Sequence, residues 1–149
     1  MLKVTVIATG KLKERFWKDA CAEYVKRLGA YVKIDVREVP DSSPEKEASA
    51  QLALLASLGD AHVVLLDIQG KQLSSEEFAG TLDALTVSGV SHVVFLIGGS
   101  DGVTADVVAK ADMRMSFGRI TLPHNLARVV LLEQIYRAQK IIHHEPYHK

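Results

Sequence analysis

The residues best suited to hold a ligand lie in two turns that follow apolar runs, LDIQG at 66–70 and IGGSDG at 97–102. Gly98, Gly99 and Gly102 let the backbone turn tightly and approach a bound molecule with no Cβ in the way. Amides and carbonyls presented in that manner can grip a flat, polar ligand. The pattern is neither the GxGxxG dinucleotide fingerprint nor the GxxxxGK[ST] phosphate loop, and a purely structural turn is its standing alternative. Other chemistries find less. Cys21 falls in a helical pattern as a core residue, and one cysteine makes neither an intramolecular disulfide nor a thiolate metal site. His143 and His144 are adjacent and point in different directions from a helix, and no HExxH motif is present. Without a GxSxG elbow, Ser100 reads as a turn residue. Asp67 and Asp101 could meet at parallel strand ends, but nothing else supports paired-carboxylate hydrolysis.

The elements that must position these turns alternate along the chain. Residues 2–8, 32–39, 62–68 and 92–97 read as strands, the last two as nearly continuous apolar runs of the kind covered on both faces in a parallel sheet. Helices are expected over 14–28, from Ser43 as N-cap to about Leu58, from Ser74 or Ser75 to about Val87, over 104–111, and from His124 or Asn125 to about Ile142. MRMSF and ITL, at 113–117 and 120–122, read as two further short strands. The segment KLKERFWK enters the first helix. Its basic residues are expected to be solvated with Phe16 and Trp17 packed on the sheet, against a second reading in which Lys11, Lys13, Arg15 and Lys18 face RNA. Such alternation predicts an α/β class with a parallel sheet sandwiched by helices, and 149 residues suit one domain, 1–149. The last helix is apolar over so much of its circumference that it calls for cover on several sides. A second copy of the chain is the natural source, so a homodimer is expected.

Formal net charge is zero, but it is unevenly spread. Residues 51–109 carry one basic and seven acidic side chains, whereas 110–149 carry seven basic and three acidic, with four of the six histidines. Any contact with a polyanion is expected at that basic end. No apolar stretch reaches the roughly 20 residues needed to cross a bilayer. A signal-peptide layout is also missing, so the expected location is cytoplasmic with no membrane partner.

Three segments read together are more specific than any one of them. LDIQGK at 66–71, FLIGGSDG at 95–102, and FGRITLPHNLARVVLLEQIYRAQKI at 117–141 with PYHK at 146–149 closely resemble the bacterial ribosomal large-subunit pseudouridine methyltransferases of the knotted SPOUT class. The opening VIATGKLKERFWKDACAEYVKRL is similar to that family's first strand and helix. Many relatives carry a longer, charged linker where this chain has only 41–50. The resemblance implies a SPOUT-like α/β domain with a C-terminal trefoil knot, a homodimer, and methylation of N3 of a pseudouridine in 23S ribosomal RNA within the assembled 70S ribosome. It implies S-adenosylmethionine as methyl donor and no metal. Carried onto this sequence, the donor's contacts are Leu66, Gly98, Phe117, Gly118, Arg119, Ile120, Thr121 and Leu122. His148 is implied as general base, since an ordinary imidazole accepts a proton near neutrality. Arg128 is implied as base or phosphate clamp, and Tyr147 as a stacking side chain. A non-catalytic RNA-binding protein and a different nucleotide-dependent α/β enzyme are the competing readings.

Overall fold

Each β-branched run is followed by a helical stretch long enough to return the chain to the starting edge of the sheet, which is what parallel pairing demands. The computed structural model describes residues 1–149. In chain order the elements are β1 Lys3–Thr9, α1 Arg15–Leu28, β2 Lys33–Val39, α2 Pro44–Ser57, β3 His62–Gln72, α3 Ser75–Val87, β4 His92–Ile97, α4 Ala105–Val108, β5 Met113–Ser116 and α5 His124–Ile142. The strands lie in the order β2-β1-β4-β3-β5, and every pair is parallel.

Side-chain alternation splits the interior into two layers. Val4, Val6, Val64, Val93, Phe95 and Ile97 face the larger core, shared with Cys21 and Leu28 of α1, Phe78 and Leu82 of α3, and Leu131, Leu132 and Ile135 of α5. Ile7, Leu65, Val94 and Leu96 face the other side, against Ala48 of α2 and Val107 of α4. Two helix starts follow the caps read from sequence. Ser43 Oγ accepts from the Lys46 amide at 3.3 Å. Ser74 forms a full capping box: its Oγ accepts from the Glu77 amide at 3.0 Å, and Glu77 Oε1 accepts from the Ser74 amide at 2.8 Å. Each such cap contributes about 1 kcal/mol.

Four expectations change. ITL forms no strand: residues 117–123 leave the sheet as a loop, and Ile120 is 73% exposed. β5 already occupies the open edge beside β3, so the chain must turn away there to reach α5, and the β-branched residues serve the loop instead. Phe16 does not pack on the sheet. It is 63% exposed and tilted against Trp17 at 4.9 Å, while Trp17 alone packs against the core. The helix expected over 104–111 shrinks to Ala105–Val108. Finally, β3 runs beyond residue 68. Leu66 pairs with Met115, the chain arches out over 67–70, and Lys71 pairs with the same Met115. Gly70 makes that arch possible, because a Cβ there would sit 2.6 Å from the Arg114 carbonyl carbon and the Met115 nitrogen.

Candidate functional site

The C-terminal ends of β3, β4 and β5 open onto a cavity of about 530 Å³. One wall is the arch of β3, with Leu66, Asp67, Ile68 and Gln69; a second is the glycine turn after β4, from Gly98 to Val103; the third is the loop from Phe117 to Leu122, closed by the first turn of α5. A ligand crevice beyond the strand ends is what an open parallel sheet provides. Seven of the eight residues predicted to contact a methyl donor line this cavity: Leu66, Gly98, Phe117, Gly118, Ile120, Thr121 and Leu122. The eighth, Arg119, is exposed and does not line it.

Backbone geometry builds most of these walls. A Cβ on Gly98 would lie 2.6 Å from Val103 Cγ1, so the glycine lets its own turn close. Gly99 rests on Glu47, a buried side chain of α2 whose carboxylate accepts the Ser42 amide at 2.9 Å. In the third wall, Ser116 Oγ accepts from the Gly118 amide at 3.1 Å and donates to the Gly118 carbonyl at 2.9 Å. Gly118 itself has φ of +118°, a conformation that a side chain would strain.

Charge is scarce and paired. Arg114 donates to Asp67 through Nε at 2.9 Å and Nη2 at 2.5 Å, spanning β5 and the β3 arch. Burial pushes the Asp67 carboxyl up, but the Gln69 amide and Arg114 outweigh it and hold it below its ordinary value. Apolar side chains at the rim are unusually open: Ile68 is 52% and Ile120 73% exposed. Bare apolar surface beside a crevice suits a flat ligand face. S-adenosylmethionine fits this donor set. Leu66, Ile120 and Leu122 offer apolar surface for an adenine, and the charged side chains of the lining, Asp67 and Arg114, are paired with one another.

The predicted acceptor-side residues do not join this cavity. Arg128 is buried in the second turn of α5, where it donates to Glu38 at 2.7 Å and to the Gly10 carbonyl at 2.9 Å. Tyr147 and His148 stand at the far end of α5. Tyr147 meets Tyr136 edge to face at 4.9 Å and lies under Arg137 at 4.7 Å. His148 Nδ1 is 3.0 Å from Arg137 Nη1, and Nε2 is 2.6 Å from Glu76 Oε1. Arginine can only donate, so Nδ1 accepts and Nε2 carries the proton given to Glu76. Both ring nitrogens are thereby engaged. Contact with His148 is also the leading reason that the Glu76 carboxyl lies below its ordinary value.

Sequence reasoning missed the Asp67–Arg114 clasp, the rim residue Ile68, and His124, which lines the cavity. Only Gly70, inside the quoted LDIQGK, signalled the close approach of two backbones.

A family model described as a predicted SPOUT methyltransferase matches residues 2–148. The ribosomal RNA large subunit methyltransferase H of Listeria monocytogenes serotype 4a (strain HCC23) is 47% identical over 159 aligned positions, covering 99% of this chain and 100% of the relative. Two solved structures share the fold at low identity. The A. aeolicus TrmH/SpoU tRNA modifying enzyme superposes with a TM-score of 0.54 at 13% identity, over 97% of this chain and 78% of its own. TrmJ from Z. mobilis ZM4 gives 0.51 at 18%, over 100% and 73%. The fold class is therefore the α/β parallel sheet of the trefoil-knot SPOUT proteins, and with a match that spans nearly every residue, this chain belongs to the SPOUT methyltransferase family.

Proposed function

We propose that this protein transfers a methyl group from S-adenosylmethionine to N3 of a pseudouridine in large-subunit ribosomal RNA, acting on the assembled ribosome. The observation that carries the reading is the cavity at the ends of β3, β4 and β5, lined by seven of the eight residues that the family resemblance implies for the methyl donor. The full-length relative named as a large-subunit ribosomal RNA methyltransferase supports the substrate class. When bound, S-adenosylmethionine supplies an electrophilic methyl carbon. Leu66, Ile120 and Leu122 hold its apolar faces, the backbone of 117–122 satisfies its polar edge, and Gly98 keeps the floor of the cleft low.

The acceptor side requires a second copy of the chain. Within one protomer, Arg137 and the tail it holds stand about 15 Å along α5 from Ala127 at the cavity, at 1.5 Å of rise per residue. Leu126, Val129, Val130, Ile141 and Ile142 of α5 are only half-buried, leaving apolar surface for a partner to cover. We assign Tyr147 and His148 to the acceptor site of the facing subunit, Tyr147 stacking on the target base and His148 taking its N3 proton on Nδ1 once that nitrogen is freed from Arg137. Arg128 is assigned to holding the β1 end against α5. The protein is placed in the cytoplasm with its substrate, and no helix is long and apolar enough to cross a membrane.

Labelled S-adenosylmethionine incubated with the protein and unmethylated ribosomes, separated subunits or free RNA tests the reading. Label should appear at one pseudouridine, and most strongly in assembled ribosomes. Absence of label from all three substrates, with the methyl donor bound, would leave an RNA-binding protein without this activity.

A further inference from the structure

Three residues lining the cavity carry titratable side chains, Asp67, Arg114 and His124. The first two neutralise one another across the arch. His124 is left as the one lining side chain able to give or take a hydrogen bond through an uncommitted imidazole. It opens α5, and its ring edge lies against Gly10: a Cβ there would be 3.0 Å from His124 Cε1 and 3.0 Å from Asp41 Oδ2. The Gly10 carbonyl is in turn held by Arg128, one helical turn beyond His124. The end of β1 and the first two turns of α5 thus lock the ring in place, with Asp41 on its Cε1 side and the Asp67–Arg114 pair elsewhere in the cavity wall.

The two ring nitrogens differ. Nδ1 is closed off from water and has no hydrogen-bond partner. A buried N–H without an acceptor is rarer in folded proteins than a buried acceptor left unused. The tautomer with a bare Nδ1 and a protonated Nε2 therefore meets the smaller penalty, and Nε2 is the nitrogen that remains open.

We propose that His124 is a catalytic residue of this methyl transfer, its Nε2–H donating to a carbonyl oxygen that flanks N3 of the target base. The inference rests on the methyltransferase reading above. As the N3–H bond breaks, the proton passes to the tail imidazole or to solvent, and the electron pair left on N3 spreads onto the two neighbouring carbonyl oxygens. That pair then forms the N–CH3 bond while the S–CH3 bond breaks and its electrons stay on sulfur. His124 keeps its own proton throughout. A fixed donor aimed at an oxygen where charge develops accelerates such a step without being consumed.

Two measurements on the full-length protein test the assignment. Nitrogen-15 NMR of labelled histidine, compared with a His124→Gln sample to identify the signal, should report the Nε2–H tautomer in the absence of RNA. An Nδ1–H tautomer overturns the proposal whatever the activity. In single-turnover transfer to ribosomes, His124→Ala should lose on the order of a hundredfold, while its affinity for S-adenosylmethionine by calorimetry stays within about twofold of the parent. His124→Gln, which keeps an N–H of similar reach, should recover part of the rate; a Gln variant no better than Ala, or an Ala variant at the parental rate, overturns it. If the parent protein itself labels no RNA, the functional reading fails, and the tautomer still decides the hydrogen-bonding claim.

Discussion

The two ends of α5 are built from different materials. At its N-terminal end the cavity takes its shape from the course of the backbone: a glycine turn, an arched strand, and a loop pinned by Ser116 around Gly118. At its C-terminal end the chain is held by side chains, with Arg137 on Glu133 at 2.8 Å, Lys140 on Glu145 at 3.0 Å, Tyr31 donating to Glu145 at 2.7 Å and His148 on Glu76. Walls shaped by the backbone are set when the sheet forms, and a change in them either disturbs the fold, as at Gly70, or shifts the turn itself, as at Gly98. Half-exposed ion pairs are each worth little, typically below about 1 kcal/mol, and exchange readily with a new partner. A methyl donor common to many reactions suits the first kind of site, and a ribosome-specific acceptor suits the second.

The largest test of this contrast is Gly70→Val. A Cβ at 2.6 Å from the Arg114–Met115 backbone cannot be relieved by a rotamer change, so the β3–β5 junction should fail at a cost of about 3 kcal/mol or more. A variant melting within a few degrees of the parent would show that the arch yields. Next comes His148→Ala, expected to keep its affinity for S-adenosylmethionine while single-turnover transfer falls by roughly a hundredfold, the scale of a lost general base. Transfer at the parental rate removes the tail histidine from the chemistry. Gly98→Val should act the other way round, weakening S-adenosylmethionine binding by about tenfold, or some 1.4 kcal/mol. The new side chain meets Val103 and lifts the turn, and calorimetry on the folded variant would read the change.

A smaller effect lies away from both ends. Burial pushes the His92 imidazole below its ordinary value, with Lys3 adding to this and Asp35 opposing it, while Nε2 is bonded to Thr5 Oγ1 at 2.8 Å. The unfolded chain takes up this proton near pH 6.5 and the folded chain only at lower pH. The resulting stabilisation is complete above about pH 6.5 and is lost as pH falls from there through the folded value. Denaturant unfolding of His92→Gln should therefore show a flatter decline between pH 6.5 and 5 than the parent. An equally steep decline assigns the acid limb to other groups. Smallest of all, Cys21 should resist thiol reagents until the protein unfolds, since burial raises its thiol above the usual range.

Much of this could be read along the chain. Strand and helix order followed from apolar runs and caps, because those signals are local: Ser74 and Glu77 announce a helix start wherever the rest of the chain goes. The cavity was legible only when LDIQGK, IGGSDG and FGRITL were read together, and seven of the eight residues expected to contact a methyl donor line it. Arg119 departs because it is exposed to solvent while its neighbours Gly118 and Ile120 line the wall.

By itself, the sequence determined the alternating parallel α/β class, the capped helices and the two glycine turns, since each depends on spacing within a few residues. Tertiary structure alone decided what those residues touch. It turned ITL from a strand into a cavity wall, clasped Asp67 to Arg114 across 47 residues, and buried Arg128 against Glu38 and Gly10. It also engaged both nitrogens of His148 and left His124 facing the cavity. Such pairings join segments far apart in the chain, and no local pattern encodes a contact whose partner is chosen by the packing of the whole sheet.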